Sequence, residues 1–155
     1  MLESGREYLP DSFCLGAVMH YFLLFLLLIM NSAFSAEILR LKDAKVIVGE
    51  NSEAKVVNQQ VKIIKGYLLV KSSGKITVLN DDVSFTTESA EFQVLLNDNK
   101  DVDLDVVSGE VLVASPHVHT FVPEIVKAKE GFRYKSNPPG FERRKYSIKI
   151  KYLDQ

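Results

Sequence analysis

The sequence predicts an all-β domain, roll- or solenoid-like or sandwich-like, built of roughly ten to twelve short strands. Three observations carry this. Short β-branched or aromatic runs alternate with polar residues through most of the chain after Ala36. No segment of a dozen residues there keeps a 3.6-residue apolar period, so the pattern is that of strands, not helices. Finally, two stretches 43 residues apart echo each other, Val61–Val70 around Gly66 and Leu104–Val113 around Gly109. Ser72, Thr77 and Val83 repeat in the same way as Ser115, Thr120 and Val126. A recurring strand–glycine–strand unit is how a chain stacks or pairs β-modules around a shared core.

Ahead of this domain, one long apolar segment runs from Phe13 to Ala36, densest over Tyr21–Met30. Ten strongly apolar residues are short for a membrane span, which needs about 20, but suit the core of a secretory signal. Ala33 and Ser35 place small residues at −3 and −1 of a cleavage site before Ala36. Glu3, Glu7 and Asp11 outnumber Arg6, whereas a signal should begin positive. A start at Met19 removes that conflict, so residues 1–18 are expected to be an over-extended start. The rival reading keeps the segment as a single-span anchor with the domain outside. Either way, residues 36–155 are expected to form one extracytoplasmic domain.

Cleavage leaves 120 residues, enough for a single modest core. It also removes Cys14, the sole cysteine, so stability rests on burial and sheet hydrogen bonds, not disulfides. Cys14 has no apolar run ahead of it and does not read as a lipid attachment site. Net charge moves from −1 to +1, which gives no general attraction to nucleic acid. Charge is nevertheless uneven. Asp81 to Glu110 holds nine acids and one base, and Lys127 to the end holds nine bases and three acids. Alternation explains most of these positions as solvated outer faces of strands.

In order, strands are expected at Val46–Val48, Lys55–Val57, Val61–Ile64, Tyr67–Val70, Ile76–Leu79, Val83–Thr86 and Phe92–Leu96. Val102, Leu104 and Val106 alternate with Asp101, Asp103 and Asp105, the mark of a strand with one buried and one wet face. Turns are expected at Ser72–Gly74, Asn80–Asp82, Asn97–Lys100 and Ser108–Gly109, with at most a short turn over Arg40–Lys45. A loop over Ser136–Gly140 precedes a last strand at Tyr146–Tyr152.

Phe85–Val94, a charged turn, then Val102–Val113 resembles the FecR domain, whose members show such a strand and then an apolar strand ending in Gly-Glu/Ser-Val-x-Val. Ile125–Gly131 and Asn137–Pro139 fill the places of the strand and the proline-containing stretch that follow. The resemblance covers about residues 44–140. It implies an extracytoplasmic β-rich module used in protein contacts, and founding members relay a signal from an outer-membrane transporter to a sigma factor. The implied partner is an envelope protein or a cell-wall or outer-membrane component. No binding residue carries over.

One motif points to another class. His117, His119, Glu124 and Gly131 have the His-x-His-x4-Glu-x6-Gly spacing of the first cupin motif, in which two imidazoles and a carboxylate ligate a divalent metal. The motif's earlier glycine is missing, Arg143 stands where the fourth ligand belongs, and His119 is the last histidine. In the repeat, the histidines fall opposite Gly74 and Ile76, so they are read as lining a strand face. Asp98, Asp101, Asp103 and Asp105 lack the glycine and closing glutamate of a calcium loop. Phe132–Lys135 reads as a strand end capping the core, not as a stacking platform. No Gly-x-Ser-x-Gly elbow is present. The expectation is a non-enzymatic interaction, scaffold or signalling module with no catalytic residues, cofactor or metal. A small metal-binding cupin-like protein and a membrane-anchored relay subunit are the alternatives.

Overall fold

The computed structural model describes residues 36–118 and 122–147. The apolar leader, the Ser35–Ala36 junction, His119 and most of the strand expected at Tyr146–Tyr152 lie outside them. The described residues form eleven strands and no helix: β1 (Glu37–Leu41), β2 (Ala44–Val48), β3 (Glu53–Val57), β4 (Gln60–Ser72), β5 (Ile76–Leu79), β6 (Ser84–Thr87), β7 (Ala90–Leu96), β8 (Val102–Ala114), β9 (Glu124–Lys127), β10 (Gly131–Ser136) and β11 (Pro139–Arg144). Among the described residues, no helix is long and apolar enough to cross a membrane.

Two long strands organise everything else. The first half of β4 pairs with β3 and, in parallel, with β5, while its second half pairs with β2 and β7. The first half of β8 pairs with β7 and β10, and its second half with β6 and β9. With β5 paired to β6, hydrogen bonding closes into a ring, β4–β5–β6–β8–β7. Closure removes the exposed edges that an open sheet of these strands would present. The remaining strands extend this ring as two sheets, one containing β1, β2, β7, β10 and β11, the other β3, β5, β6 and β9, with β4 and β8 shared.

The repeated glycines are the bends in those shared strands. Gly66 and Gly109 both have φ of +78°, a left-handed conformation that costs an L-residue roughly 1–2 kcal/mol. Two residues before each, the ladder slips. Ile64 is skipped opposite β3, and Val107 is skipped opposite β7. A bulge followed by a glycine turns a strand sharply without ending it. The sequence pattern was therefore one bent strand each time, not two strands meeting at a glycine.

Alternation places the core. Val46, Val48, Leu68, Val70, Phe92, Val94, Val102, Leu104, Val106, Phe132 and Tyr134 face inward from one sheet. Val61, Ile63, Ile76, Val78, Phe85, Val111, Val113 and Val126 do so from the other. Each such side chain contributes about 1.5–3 kcal/mol by leaving water. Phe141 packs its ring 5.2 Å from Phe132 and 6.0 Å from Tyr134, closing the β10–β11 end. Three strands differ from the sequence reading. β1 lies beyond the leader, where at most a short turn over Arg40–Lys45 was expected, β11 includes part of the expected Ser136–Gly140 loop, and β3 begins two residues before the expected Lys55 and joins β4 through Asn58 and Gln59, both at positive φ.

Candidate interaction surfaces

The expected wet face of β8 is not wet. Asp103 is 6% exposed and Asp105 2%. Both are covered by the basic strands 30 to 40 residues downstream. Arg133 donates to both carboxylate oxygens of Asp103, at 2.6 and 2.9 Å. Arg144 binds Asp105 and also lies 3.5 Å from Asp103, and the Ser147 amide donates to Asp105 at 2.9 Å. Burial pushes the Asp103 carboxyl up, but the Arg133 hydrogen bonds and the Arg144 charge outweigh it and hold it below its ordinary value. Cross-strand register places these charges side by side. Asp103 faces Arg133, and Asp105 reaches Arg144 across Gly131. The acidic and basic runs are thus partly each other's partners, and the reading of both as solvated faces is corrected here.

The described members of the cupin spacing, His117 and Glu124, each have another partner. His117 lies in the turn after β8, not on a strand face. Its amide is held by Ser115 Oγ at 3.2 Å, and its ring nitrogen lies 3.4 Å from Asp82. The repeat persists here, because the Gly74 amide is held by Ser72 Oγ in the same way at 3.3 Å. Glu124 is bound by Arg143 at 3.2 Å, so its carboxylate is occupied by a cation. His119 lies outside the described residues. Among the described residues no three His, Cys, Asp or Glu side chains are placed to share a metal.

The acidic turn is likewise engaged. Asp101 accepts the Asn99 amide group at 3.0 Å and the Ser136 backbone amide at 3.0 Å, so it fastens β10 to the turn. Phe132 and Tyr134 point into the core, and Arg133 and Lys135 point away, to Asp103 and Glu142. That arrangement agrees with a core-capping strand.

Two surfaces remain. A groove of about 680 Å3 runs past the β1–β2 turn, the ends of β4 and β7 and the Gly109 bend of β8. Across its floor, register sets Arg40, Lys45, Lys71, Glu91 and Ser108 in one row. Lys71 and Glu91 neutralise each other at 3.4 Å, which leaves Arg40, Lys42 and Lys45 as a basic rim with Asp43. Such a rim attracts acidic or polar segments, through screened and therefore weak contacts. On the other sheet, Leu112 and Ile125 are paired and 40% and 48% exposed, beside Thr86 in a second groove. β9 pairs only with β8 among the described strands. Two of its backbone groups are taken by side chains, the Ile125 carbonyl by Arg143 at 3.3 Å and the Lys127 amide by Glu130 at 2.8 Å. Edge capping of this kind blocks strand addition. Sequence reasoning could not find either surface, because each is assembled from strands remote in the chain.

No protein-family model and no curated protein matches the chain. Among solved structures, it is similar to two crystal structures of a candidate anti-sigma factor from Parabacteroides distasonis. They superpose with TM-scores of 0.57 and 0.58 at 12% and 11% identity. The match covers 72% and 73% of this chain and 56% of the other protein in each case, so the chain corresponds to little more than half of that protein's length. The likeness is one of fold.

Proposed function

We propose that this chain is an exported FecR-like module that acts in the cell envelope through protein contacts, as a non-enzymatic signalling or scaffold component. The observation that carries the reading is the fold shared with a protein described as an anti-sigma factor, over 72% of this chain. The FecR-like segments fall where that fold is built. Phe85–Val94 spans β6 and most of β7, and Val102–Val113 is nearly all of β8, including the bend at Gly109. These three strands are consecutive members of the closed ring.

Export rests on the leader, and the basic groove beside Arg40 and Lys45 is the face assigned to an envelope partner. The test expresses the full chain with a C-terminal tag and fractionates the cells. The expected product begins at Ala36 and is extracytoplasmic. A photo-crosslinker at Lys45 should then trap one defined envelope partner, and one at Asp98, on the far turn, should not. A full-length product confined to the cytoplasm refutes export, and equal labelling from both positions refutes the groove.

A further inference from the structure

β1 is the outermost described strand of its sheet, and hydrogen-bond parity fixes which of its backbone groups are free. The Asp43 carbonyl accepts from the Ser73 amide at 2.9 Å, and the Gly49 amide donates to the Tyr67 carbonyl at 3.0 Å. In an antiparallel ladder such pairs recur at every second residue, so Lys45 and Ile47, between these two, also bond toward β4. Ala44, Val46 and Val48 therefore bond toward β1, and the register gives them Leu41, Leu39 and Glu37. That leaves the amide and carbonyl of Ile38 and of Arg40 aimed away from the sheet. No described strand lies beyond them, and Ile38 is 46% exposed. The β9 edge, by contrast, has backbone groups taken by Arg143 and Glu130.

The side chains of β1 define what this edge accepts. Leu39 and Leu41 pack on the core while staying partly exposed, so the core runs out to the edge unsealed. Ile38 and Arg40 lie on the opposite face by alternation, and Arg40 heads the basic row that continues through Lys45 and Lys71. We infer, on the reading of this groove as the face of an envelope partner, that the free edge of β1 takes an extended acidic segment of that partner as an added strand. The added strand lies about 4.8 Å beyond β1. Its backbone meets the free groups of Ile38 and Arg40, and its apolar residues cover Leu39 and Leu41. The acidic residues between them share the face of Arg40 and Lys45. Main-chain bonds supply the affinity, and the alternating side chains supply the selectivity. A second copy of the chain fits less well, because pairing two β1 strands edge to edge brings two basic rims together.

The test uses the purified full chain and a short fluorescent peptide of alternating valine and glutamate, with a valine–lysine peptide as its counterpart. The glutamate peptide should bind, and should slow hydrogen exchange at the Ile38 and Arg40 amides by at least about tenfold. Ile38→Pro removes an edge donor without touching a β1–β2 bond, and Arg40→Glu reverses the charge; each should weaken binding by at least about tenfold. Arg40→Glu keeps every backbone bond, so it stays decisive if Ile38→Pro fails to fold. Lys55→Glu, on the β3 edge, should leave binding unchanged. Strand addition is overturned if the glutamate peptide does not bind, if the lysine peptide binds equally well, or if the folded β1 variants bind like the wild type. It is equally overturned if binding leaves the two amides unprotected, since that is side-chain attraction alone. Protection that grows with protein concentration in the absence of peptide makes a second copy the occupant and also overturns it. None of these measurements depends on export. Peptide binding together with a cytoplasmic product refutes export alone, whereas a partner trapped from Lys45 with the two amides unprotected keeps the groove and refutes the added strand.

Discussion

Replacing Gly109 with alanine should destabilise the domain by several kcal/mol, although Gly109 itself lies at the surface. Two costs add. Holding an L-residue at the φ of +78° seen here costs roughly 1–2 kcal/mol. The new Cβ would then stand 2.4 Å from the Ser89 carbonyl oxygen and 2.9 Å from Ala90 Cα. Both are backbone atoms, so relief requires β7 to move, at about 1–3 kcal/mol for an overpacked site. The sum is about 2–5 kcal/mol against a total of about 5–15 kcal/mol for a domain of this kind. At about 4 °C per kcal/mol, Tm should fall by roughly 8–20 °C. Gly140→Ala is the control, because its Cβ meets nothing nearer than the Pro138 carbonyl at 4.0 Å, and its cost should stay within about 0.5 kcal/mol. Thermal and urea unfolding followed by circular dichroism would measure both. Equal stability of the two variants would refute the reasoning.

Three further outcomes are expected. Asp103→Asn should cost about 1–3 kcal/mol at pH 7, below the usual figure for a broken buried pair because Arg133 is partly exposed. Since the folded carboxyl titrates below its ordinary value, that contribution is fully present above about pH 4 and fades as the pH falls through the lower folded value. The Tm gap between the wild type and Asp103→Asn should therefore narrow on acidification from pH 5 to pH 2. A gap that is constant with pH would contradict it. Arg143→Ala frees Glu124, Glu130 and the Ile125 carbonyl together, so the β9 edge, left with only the Glu130 cap on the Lys127 amide, should self-associate, seen as concentration-dependent growth in light scattering. Elemental analysis should find no stoichiometric metal in the purified chain, and His117→Ala with His119→Ala should leave metal content unchanged. Metal that disappears with these substitutions would restore the cupin alternative.

Much of the fold was legible because alternation and turn residues act locally. Val102, Leu104 and Val106 announced a core-facing strand by themselves, and Gly66 and Gly109 announced two equivalent special positions. What remained illegible depends on partners far along the chain. Nothing near Asp103 or Asp105 says that their face is dry, because Arg133 and Arg144 arrive on later strands. β11 was read partly as loop because Pro139 and Gly140 break local propensity, yet pairing with β10 and the packing of Phe141 on Phe132 override it. The His117 site misled for a related reason. Ser115 Oγ holds the His117 amide in the turn after β8, which takes His117 off the strand face expected for it. The grooves were beyond reach altogether, since their rows are defined by register between strands.

The repeat carries the most topological information, once read as a bend. In the sheet shared with β7, β4 and β8 run in the same direction on either side of it, because each is antiparallel to β7. Gly66 pairs with Leu96 at one end of β7, and Gly109 pairs with Ala90 at the other. β4 therefore enters this sheet from the second one at the first end, and β8 leaves for the second sheet at the opposite end. Two identical bends, used once on entry and once on exit, bring the free halves of both strands to the same opposing sheet. The short strands β5 and β6 then bridge them and close the ring. Stacked solenoid turns would have placed both glycines in a single file along one corner. Diagonal placement across β7 is what makes the same ten-residue pattern close a barrel instead of extending an array.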